Sequence, residues 1–301
     1  MSEWRSTNLT RPYDFELSLF PSLNYVLFEK VGRGRWVKLF GFKKGSYIEF
    51  VDENKVRFTG FTGDELRAYV GLWYDPLNYV NEVEHRYNEV IEEVINMYRR
   101  AGLPIAINDP VITFISAFLN RVTNYHTNVV RWVRTLLKQV NEDITLINED
   151  VLRNVSTSFQ LVGLVNALRD FMRIELRGDY WSLRQDLMGI KFVGPKVADL
   201  FLLHWRGFYE AVPVDIHLVR MVRRLGLVPN FKLPSKSLCT KYTCWSCSSE
   251  ECLGYLIRSK LGKLAPWFQT VSYIHDRLYC SKKLCSECVL RKVCKRNKQL
   301  R

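Results

Sequence analysis

A short turn between two helical segments, IKFVGPKVADLFLL at residues 190–203, constrains the fold of this chain more than any other feature. Helical periodicity predicts one helix before the turn (180–188) and one after it (196–206), so few residues join two packed helices. Gly194 is expected to supply a positive φ angle and to let the backbone approach a ligand closely. The backbone N–H groups of Val193 and Gly194 are suited to bind a phosphate. The pattern predicts a helix–hairpin–helix.

The rest of the chain divides into a strand-like part and a helical part. Residues 14 to about 60 alternate apolar and polar in short runs such as NYVLFEKV and RWVKLFGF, as antiparallel strands do. From Pro110 onward apolar residues recur at helical spacing. The predicted helices there are 110–119, 126–139, 160–176, 180–188, 196–206, 215–225, 250–260 and 264–279. The fold class is therefore α+β and mainly α.

The 301 residues are enough for two domains with an appendage. We expect a small antiparallel β-rich N-terminal domain at 1–105 and a helix–hairpin–helix domain at 106–279. A cysteine-rich insertion at about 234–253 interrupts the second domain. A cysteine-rich, basic segment at 280–301 ends the chain.

The charge of the chain points to an acidic partner. The formal net charge is +13 and the pI is near 9.4, which makes nucleic acid the first candidate, although many basic proteins have no such partner. No apolar run is long enough to span a bilayer, and the N-terminus is unlike a signal peptide. We expect no membrane association and an intracellular monomer, in the cytoplasm or nucleoid, or in the nucleus of a eukaryote.

Lys196 and Asp215 are the candidate catalytic residues. A lysine at a helix start is in a position where the helix dipole and partial burial disfavour its charged form, as a nucleophilic amine requires. Taken alone, Lys196 is better interpreted as a phosphate-binding or solvated lysine. Asp215, in VPVDIH (212–217), is predicted to cap the next helix. Its carboxylate also faces the space between the helices, where it could stabilise a positively charged sugar.

These segments resemble the helix–hairpin–helix–Gly/Pro–Asp superfamily of DNA glycosylases. KVAD (196–199) and AVPVDIH (211–217) are most similar to the eukaryotic-type 8-oxoguanine DNA glycosylases, and WFQTVSY (267–273) extends the resemblance. The resemblance implies that Lys196 attacks the sugar C1′ and forms a Schiff base, while Asp215 stabilises the transition state.

The resemblance also implies roles around the base. Gln269 would read the Watson–Crick edge of a flipped base, and Tyr273 would stack on its face, with core packing as the alternative for this aromatic residue. His217 matches a histidine near the phosphate. Leu200 stands where the 8-oxoguanine enzymes have a cysteine against the base.

Other positions depart from the family pattern. Phe192 replaces a second glycine of the hairpin, and Leu23 replaces a glycine whose carbonyl reads the oxidised base. The segment 114–129 lacks the asparagine run that reads the opposite cytosine. The candidates to fill the gap left by a flipped nucleotide are Asn120, Arg121, Asn124 and Tyr125.

All eight cysteines follow residue 238, in two compact sets of four. The tail set has the spacing C-x4-C-x2-C-x5-C and comprises Cys280, Cys285, Cys288 and Cys294. Four thiolates so spaced can ligate a [4Fe–4S] cluster or a zinc ion. The set resembles the C-terminal cluster of endonuclease III and adenine glycosylases, including His275 and Arg277 before it. We expect a cluster that holds a basic loop near phosphates, with zinc and disulfides as alternatives.

The insertion set has the spacing C-x4-C-x2-C-x4-C and comprises Cys239, Cys244, Cys247 and Cys252. A second metal, zinc or iron–sulfur, and a pair of disulfides are both open for it.

The expected function is that of a bifunctional DNA N-glycosylase and AP lyase of base-excision repair. The partner would be double-stranded DNA with a damaged base, 8-oxoguanine by resemblance. One alternative is an endonuclease III-like enzyme for oxidised pyrimidines. Another is a non-catalytic DNA-binding protein with the same fold.

Overall fold

The computed structural model of the chain describes residues 3–295. Its strands are β1 (Arg5–Asn8), β2 (Phe28–Gly32), β3 (Arg35–Lys38), β4 (Tyr47–Asp52) and β5 (Lys55–Phe58). Its α-helices are α1 (Phe15–Leu19), α2 (Gly63–Val70), α3 (Asn88–Tyr98), α4 (Pro110–Leu119), α5 (Val130–Gln139), α6 (Glu149–Val155), α7 (Leu164–Phe171), α8 (Tyr180–Gly189), α9 (Pro195–Arg206), α10 (Ile216–Leu225), α11 (Lys236–Cys239), α12 (Leu253–Leu261) and α13 (Ala265–His275). Two π-helical turns, Tyr125–Val129 and Asp276–Cys280, precede α5 and follow α13.

The five strands form one antiparallel sheet in the order β1-β5-β4-β3-β2. Alternation along the strands sets which side chains face the core. In β5, Val56 and Phe58 are buried, whereas Lys55 and Arg57 are exposed. The sheet and the helices after residue 110 confirm the predicted class, a mainly α protein with a small antiparallel sheet near its N-terminus.

The prediction of strands throughout residues 14–60 is wrong between residues 15 and 27. Asp14 accepts a hydrogen bond from the N–H of Leu17 at 2.9 Å and begins α1. Ser22 caps a 3₁₀ turn at Leu23–Val26 in the same way. Such caps satisfy N–H groups that a helix start leaves free. The run NYVLFEKV therefore becomes a strand only at Phe28.

A buried ion pair joins the sheet to the helix that leads into the candidate site. Lys38, the last residue of β3, donates to Asp109 Oδ2 at 2.8 Å, and both side chains are almost fully buried. The Tyr69 hydroxyl donates to the same oxygen at 2.6 Å. Asp109 directly precedes α4. Because breaking such a pair leaves a buried charge, this contact fixes α4 against the sheet.

The hairpin predicted from the sequence is present. Helices α8 and α9 pack against each other, and the turn between them is residues 190–194. Pro195 occupies the first position of α9, where its missing N–H costs nothing. Among the described residues, none of the helices is both long and apolar enough to cross a membrane.

Candidate active site

A cavity of about 730 Å³ opens between α4, the hairpin, α10 and α13. It brings together residues that are up to 256 positions apart in the chain, from Pro21 to Arg277. The predicted residues that line it are Asn120, Arg121, Asn124, Tyr125, Gly194, Lys196, Leu200, Asp215, His217, Gln269 and Tyr273. Val193 does not line the cavity, because its side chain is buried in the core.

Lys196 lies in the first turn of α9 and points into this cavity. Its Nζ donates a hydrogen bond to the main-chain carbonyl of Asn120 at 2.7 Å. Burial lowers the pKa of Lys196, and the negative charge of Asp215 opposes that shift. The site therefore favours the neutral amine more than water does, as a nucleophilic lysine requires.

Asp215 is the N-cap of α10, as predicted. Its Oδ1 accepts the N–H of Leu218 at 2.8 Å, and its Oδ2 accepts the side-chain amide of Gln269 at 3.2 Å. Groups from two helices therefore orient one carboxylate toward the cavity. The cap and a role in charge stabilisation use different oxygens and are compatible.

The opposite wall of the cavity belongs to α13. Gln269 is only 4% exposed, and its amide is engaged with Asp215. Tyr273 is half-buried, and burial raises its pKa to about 12, so the phenol is neutral at physiological pH. Its ring lies 4.6 Å from that of His217 and 5.6 Å from that of Phe20. These contacts hold the ring at the edge of the cavity.

His217 is tied to the segment that follows α13. Its Nδ1 lies 2.7 Å from Asp276 Oδ2, and the same carboxylate accepts from Arg220 at 2.9 Å and Arg224 at 2.5 Å. Asp276 is 1% exposed, and despite its burial these three partners hold its pKa well below the usual range. These contacts fix helix α10 to the π-helical turn Asp276–Cys280.

The hairpin turn differs from the prediction at one angle. Phe192 has φ 67°, whereas Gly194 has φ −112° as the residue that caps α9. The expectation of a positive φ at Gly194 is wrong, because the cap position requires an extended backbone. Phe192 takes the left-handed conformation instead, in place of the family's second glycine.

Free N–H groups lie at the start of α9. The N–H of Val193 is bonded to the carbonyl of Ile190 at 3.2 Å, so it is occupied. Within residues 3–295, the N–H groups of Gly194 and Lys196 have no hydrogen-bond partner. A Cβ added to Gly194 would meet open space, so the protein itself leaves room there for a ligand.

The proposed gap-filling side chains have partners inside the protein. Arg121 donates to the carbonyl of Gln160 at 2.5 Å and lies 3.9 Å from the ring of Phe118. Asn124 caps the π-helical turn. The Tyr125 hydroxyl is buried and donates to the carbonyls of residues 22 and 23 at 3.0 and 3.1 Å. The carbonyl of Leu23 is therefore already bonded.

Sequence reasoning missed Val122. Its side chain is 90% exposed at the edge of the cavity, and its φ is 50°, a conformation that β-branched residues rarely adopt. Strain of this kind concentrates at functional sites. The signal in the sequence was an apolar residue inside the polar stretch NRVTN, but nothing local predicted the backbone angle that projects it.

The four cysteines of the tail set line a second cavity, of about 290 Å³. His275 contacts it, with Nε2 3.5 Å from Cys288 Sγ and Nδ1 2.8 Å from the Tyr98 hydroxyl. None of the eight cysteines, all of which lie within residues 3–295, is in a disulfide. In residues 3–295, no three His, Cys, Asp or Glu side chains stand close enough to share a single metal ion. Residues 296–301, the end of the predicted basic tail, lie outside the described residues.

Comparisons with known proteins agree on the architecture. No protein-family model matches the sequence. An N-glycosylase/DNA lyase of Saccharomyces cerevisiae is 34% identical over 100 residues, which are 31% of this chain and 27% of the yeast protein. The match thus spans about a quarter of that relative.

The solved structures match nearly the whole chain. MBOgg1 in complex with a low-affinity DNA ligand has a TM-score of 0.70 at 13% identity, over 92% of this chain and 96% of that one. An 8-oxoguanine glycosylase/lyase of Clostridium acetobutylicum, bound to DNA, has a TM-score of 0.65 at 14% identity, over 91% of this chain and 97% of that one. A 3-methyladenine DNA glycosylase of Archaeoglobus fulgidus has a TM-score of 0.68 at 14% identity, over 91% of this chain and 99% of that one. The chain therefore shares its fold with these DNA glycosylases.

Proposed function

We propose that this protein is a bifunctional DNA N-glycosylase and AP lyase that removes 8-oxoguanine from duplex DNA. The observation that carries the proposal is the cavity in which a half-buried lysine with a lowered pKa, Lys196, lies beside an oriented carboxylate, Asp215. The yeast relative is named for both activities. The net charge of +13 suits a polyanionic substrate.

The chemistry needs one amine and one carboxylate. The neutral Nζ of Lys196 attacks the sugar C1′ and forms a C–N bond, and the bond from C1′ to the base breaks with its electron pair on the base. Asp215 stabilises the positive charge that develops on the sugar. The proton that Nζ loses on attack passes to the departing base. The C1′–O4′ bond then breaks, O4′ takes a proton, and a Schiff base forms between Nζ and C1′. The departed base or water removes the C2′ proton as the C3′–O bond breaks and the 3′ phosphate leaves, and water then hydrolyses the Schiff base to free the lysine.

The hairpin is the proposed phosphate site. The free N–H groups of Gly194 and Lys196 point out of the start of α9, where a helix dipole favours an anion. The open space at Gly194 lets a phosphate approach the backbone. Val122 is the proposed wedge: its exposed apolar side chain would occupy the stack vacated by the flipped nucleotide.

The base pocket is formed by Gln269, Tyr273 and Leu200. An amide such as that of Gln269 can both donate to and accept from a base edge. A neutral tyrosine ring offers a stacking face. The Leu23 carbonyl already accepts from Tyr125, so one of its two lone pairs is left for the oxidised base.

The tail cysteines are proposed to hold a [4Fe–4S] cluster. Four thiols around one cavity are the donor set that such a cluster takes. A cluster contacts each thiolate through a separate iron atom, so its ligands stand further apart than those of one zinc ion. When bound, the cluster would pin residues 280–294 against α10 and so support a basic DNA-contacting loop.

Borohydride trapping tests the proposal. The protein is incubated with duplexes that carry either 8-oxoguanine or an oxidised pyrimidine, and the covalent adduct is quantified on denaturing gels. We expect an adduct with 8-oxoguanine, none for Lys196→Gln, and a wild-type yield for the control Lys55→Gln, an exposed lysine of β5 outside the cavity. Asp215→Asn should bind DNA and lose most base release.

The same panel separates the alternatives. An adduct with the oxidised pyrimidine alone would assign the enzyme an endonuclease III-like substrate. Tight DNA binding without an adduct on any lesion or abasic site would favour a non-catalytic DNA-binding protein. An adduct retained by Lys196→Gln would refute the assignment of the nucleophile.

A further inference from the structure

The insertion brings its cysteines to a buried arginine. Arg258 Nη1 lies 3.5 Å from Cys244 Sγ, and both side chains are buried. Gly254 lies close to both this nitrogen and a second cysteine. A Cβ built on Gly254 would stand 2.9 Å from Arg258 Nη1 and 3.7 Å from Cys252 Sγ. One cysteine sulfur therefore contacts the guanidinium group, and a second lies near it beside Gly254.

The buried charges beside these thiols do not balance. Asp199 accepts from Arg184 Nε at 2.5 Å, from Arg258 Nη2 at 3.1 Å and from the Tyr180 hydroxyl at 2.7 Å. Burial raises the pKa of Tyr180 far above its usual value, so this group is neutral. In residues 3–295, Asp199 is the one carboxylate within 4 Å of either guanidinium group. Two buried cations thus share one anion.

An uncompensated buried charge costs several kcal/mol, of order 3–5 where one partner of a buried pair is missing. The groups that face the excess charge are the thiols. Arg184 lies beside Cys239, and Arg258 contacts the sulfur of Cys244. Negative charge on these sulfurs would pair the arginines.

We infer that Cys239, Cys244, Cys247 and Cys252 form a second metal centre. An iron–sulfur cluster, in which each thiolate binds its own iron atom, fits thiols that stand too far apart to share one ion, whereas zinc would require these thiols to move closer together. Four thiolates around a divalent ion carry a net charge of about −2, and so would compensate the arginines. Two disulfides are neutral and would leave the excess positive charge buried.

The spacing of the insertion supports the same conclusion. Both cysteine sets begin C-x4-C-x2-C and differ by one residue in the last interval. Between Cys244 and Cys247 a tight turn is closed by Ser246, whose N–H donates to Thr243 Oγ1 at 3.1 Å. A turn of this length places two thiols on one side of a metal.

The centre would hold the insertion against the catalytic hairpin. Asp199, which anchors the arginines, lies on α9 one turn after Lys196. Lys236 Nζ, at the start of the insertion, lies 3.4 Å from the carbonyl of Ile190, where the hairpin turn begins. Loss of the metal should therefore loosen the hairpin without removing any group from the active-site cavity.

Metal analysis of the full-length protein tests this inference. Iron and zinc per chain are measured by mass spectrometry in the wild type and in Cys247→Ser, Cys285→Ser and the matched control Ser248→Ala. We expect Cys247→Ser to lose either one zinc or about four iron atoms and to keep the metal of the tail set. Cys285→Ser should show the reverse, and Ser248→Ala should lose nothing. Visible absorption separates a cluster from zinc.

Thiol counting in the wild type needs no variant to fold. The protein is denatured with a chelator and without reductant, alkylated and weighed. Eight alkylated cysteines together with the metal content above support the centre. Four cysteines protected as two disulfides would overturn the inference, as would eight free thiols with metal for the tail set alone.

Discussion

The Nζ of Lys196 donates a 2.7 Å hydrogen bond to the main-chain carbonyl of Asn120. Asn120 is the C-cap residue of α4, and Val122 follows two positions later. The proposed nucleophile is therefore anchored to the segment that carries the proposed wedge. A neutral amine that donates one N–H to this carbonyl keeps its lone pair for attack.

The pH dependence of strand cleavage should reflect the burial of Lys196. Because burial lowers its pKa, the neutral amine predominates at a lower pH than for a free lysine, whose pKa is about 10.4. Single-turnover cleavage of an abasic duplex should rise with pH and level off below that value. Asp215→Asn removes a charge that raises this pKa, so the rise should move to lower pH. A shift to higher pH would contradict this account.

Gln269→Ala should separate base reading from the positioning of Asp215. If the amide reads the base, removal of 8-oxoguanine should fall about tenfold to a hundredfold, equivalent to about 1.4 to 2.8 kcal/mol, while cleavage of a pre-formed abasic site stays near wild type. If the 3.2 Å bond to Asp215 is its main role, both reactions should fall together. We expect the first outcome, measured in single-turnover assays on both substrates.

Gly194→Ala should weaken DNA binding without destabilising the protein. Gly194 has a negative φ and open space for a Cβ, so alanine fits the free protein. A methyl group there would obstruct a phosphate at the start of α9, at a cost of about 1.5–3 kcal/mol for a charge-assisted hydrogen bond. Titration of labelled duplex and thermal melting measure the two effects.

Gly189→Ala is the control for that experiment. Gly189 ends α8, and a Cβ on it also meets open space, but it lies before the turn. Its substitution should leave DNA affinity unchanged and stabilise the helix slightly. Equal losses of affinity in both variants would show that the hairpin start is not a phosphate site.

Val122→Asn should stabilise the protein and lower its activity on a paired lesion. Asparagine adopts the left-handed conformation more readily than valine, so relief of the φ of 50° should stabilise the protein by about 1 kcal/mol. The loss of an apolar wedge should slow removal of a paired lesion. Activity on an abasic site opposite a gap should be retained, because this substrate has no base that must leave the stack. Equal activity on paired lesions would refute the wedge.

Local patterns determined much of the fold. Caps and periodicity located most of the helices after residue 110 but missed the short helices α6 and α11, and Asp215 caps α10 as predicted. The helical turns at 15–26 were missed because their caps, Asp14 and Ser22, lie within a run of alternating apolar residues. The angle at Phe192 was also missed, since a left-handed phenylalanine has no local sequence signal.

The sequence by itself determined the hairpin, the lysine and aspartate at its two helix starts, and the two cysteine sets, because each depends on residues close together in the chain. Only the tertiary structure decided the environment of these groups. The burial that lowers the pKa of Lys196, the bond from Gln269 to Asp215 and the arginines beside Cys239 and Cys244 join segments far apart in sequence. Solvation and charge depend on what surrounds a group in space, and packing alone sets those surroundings.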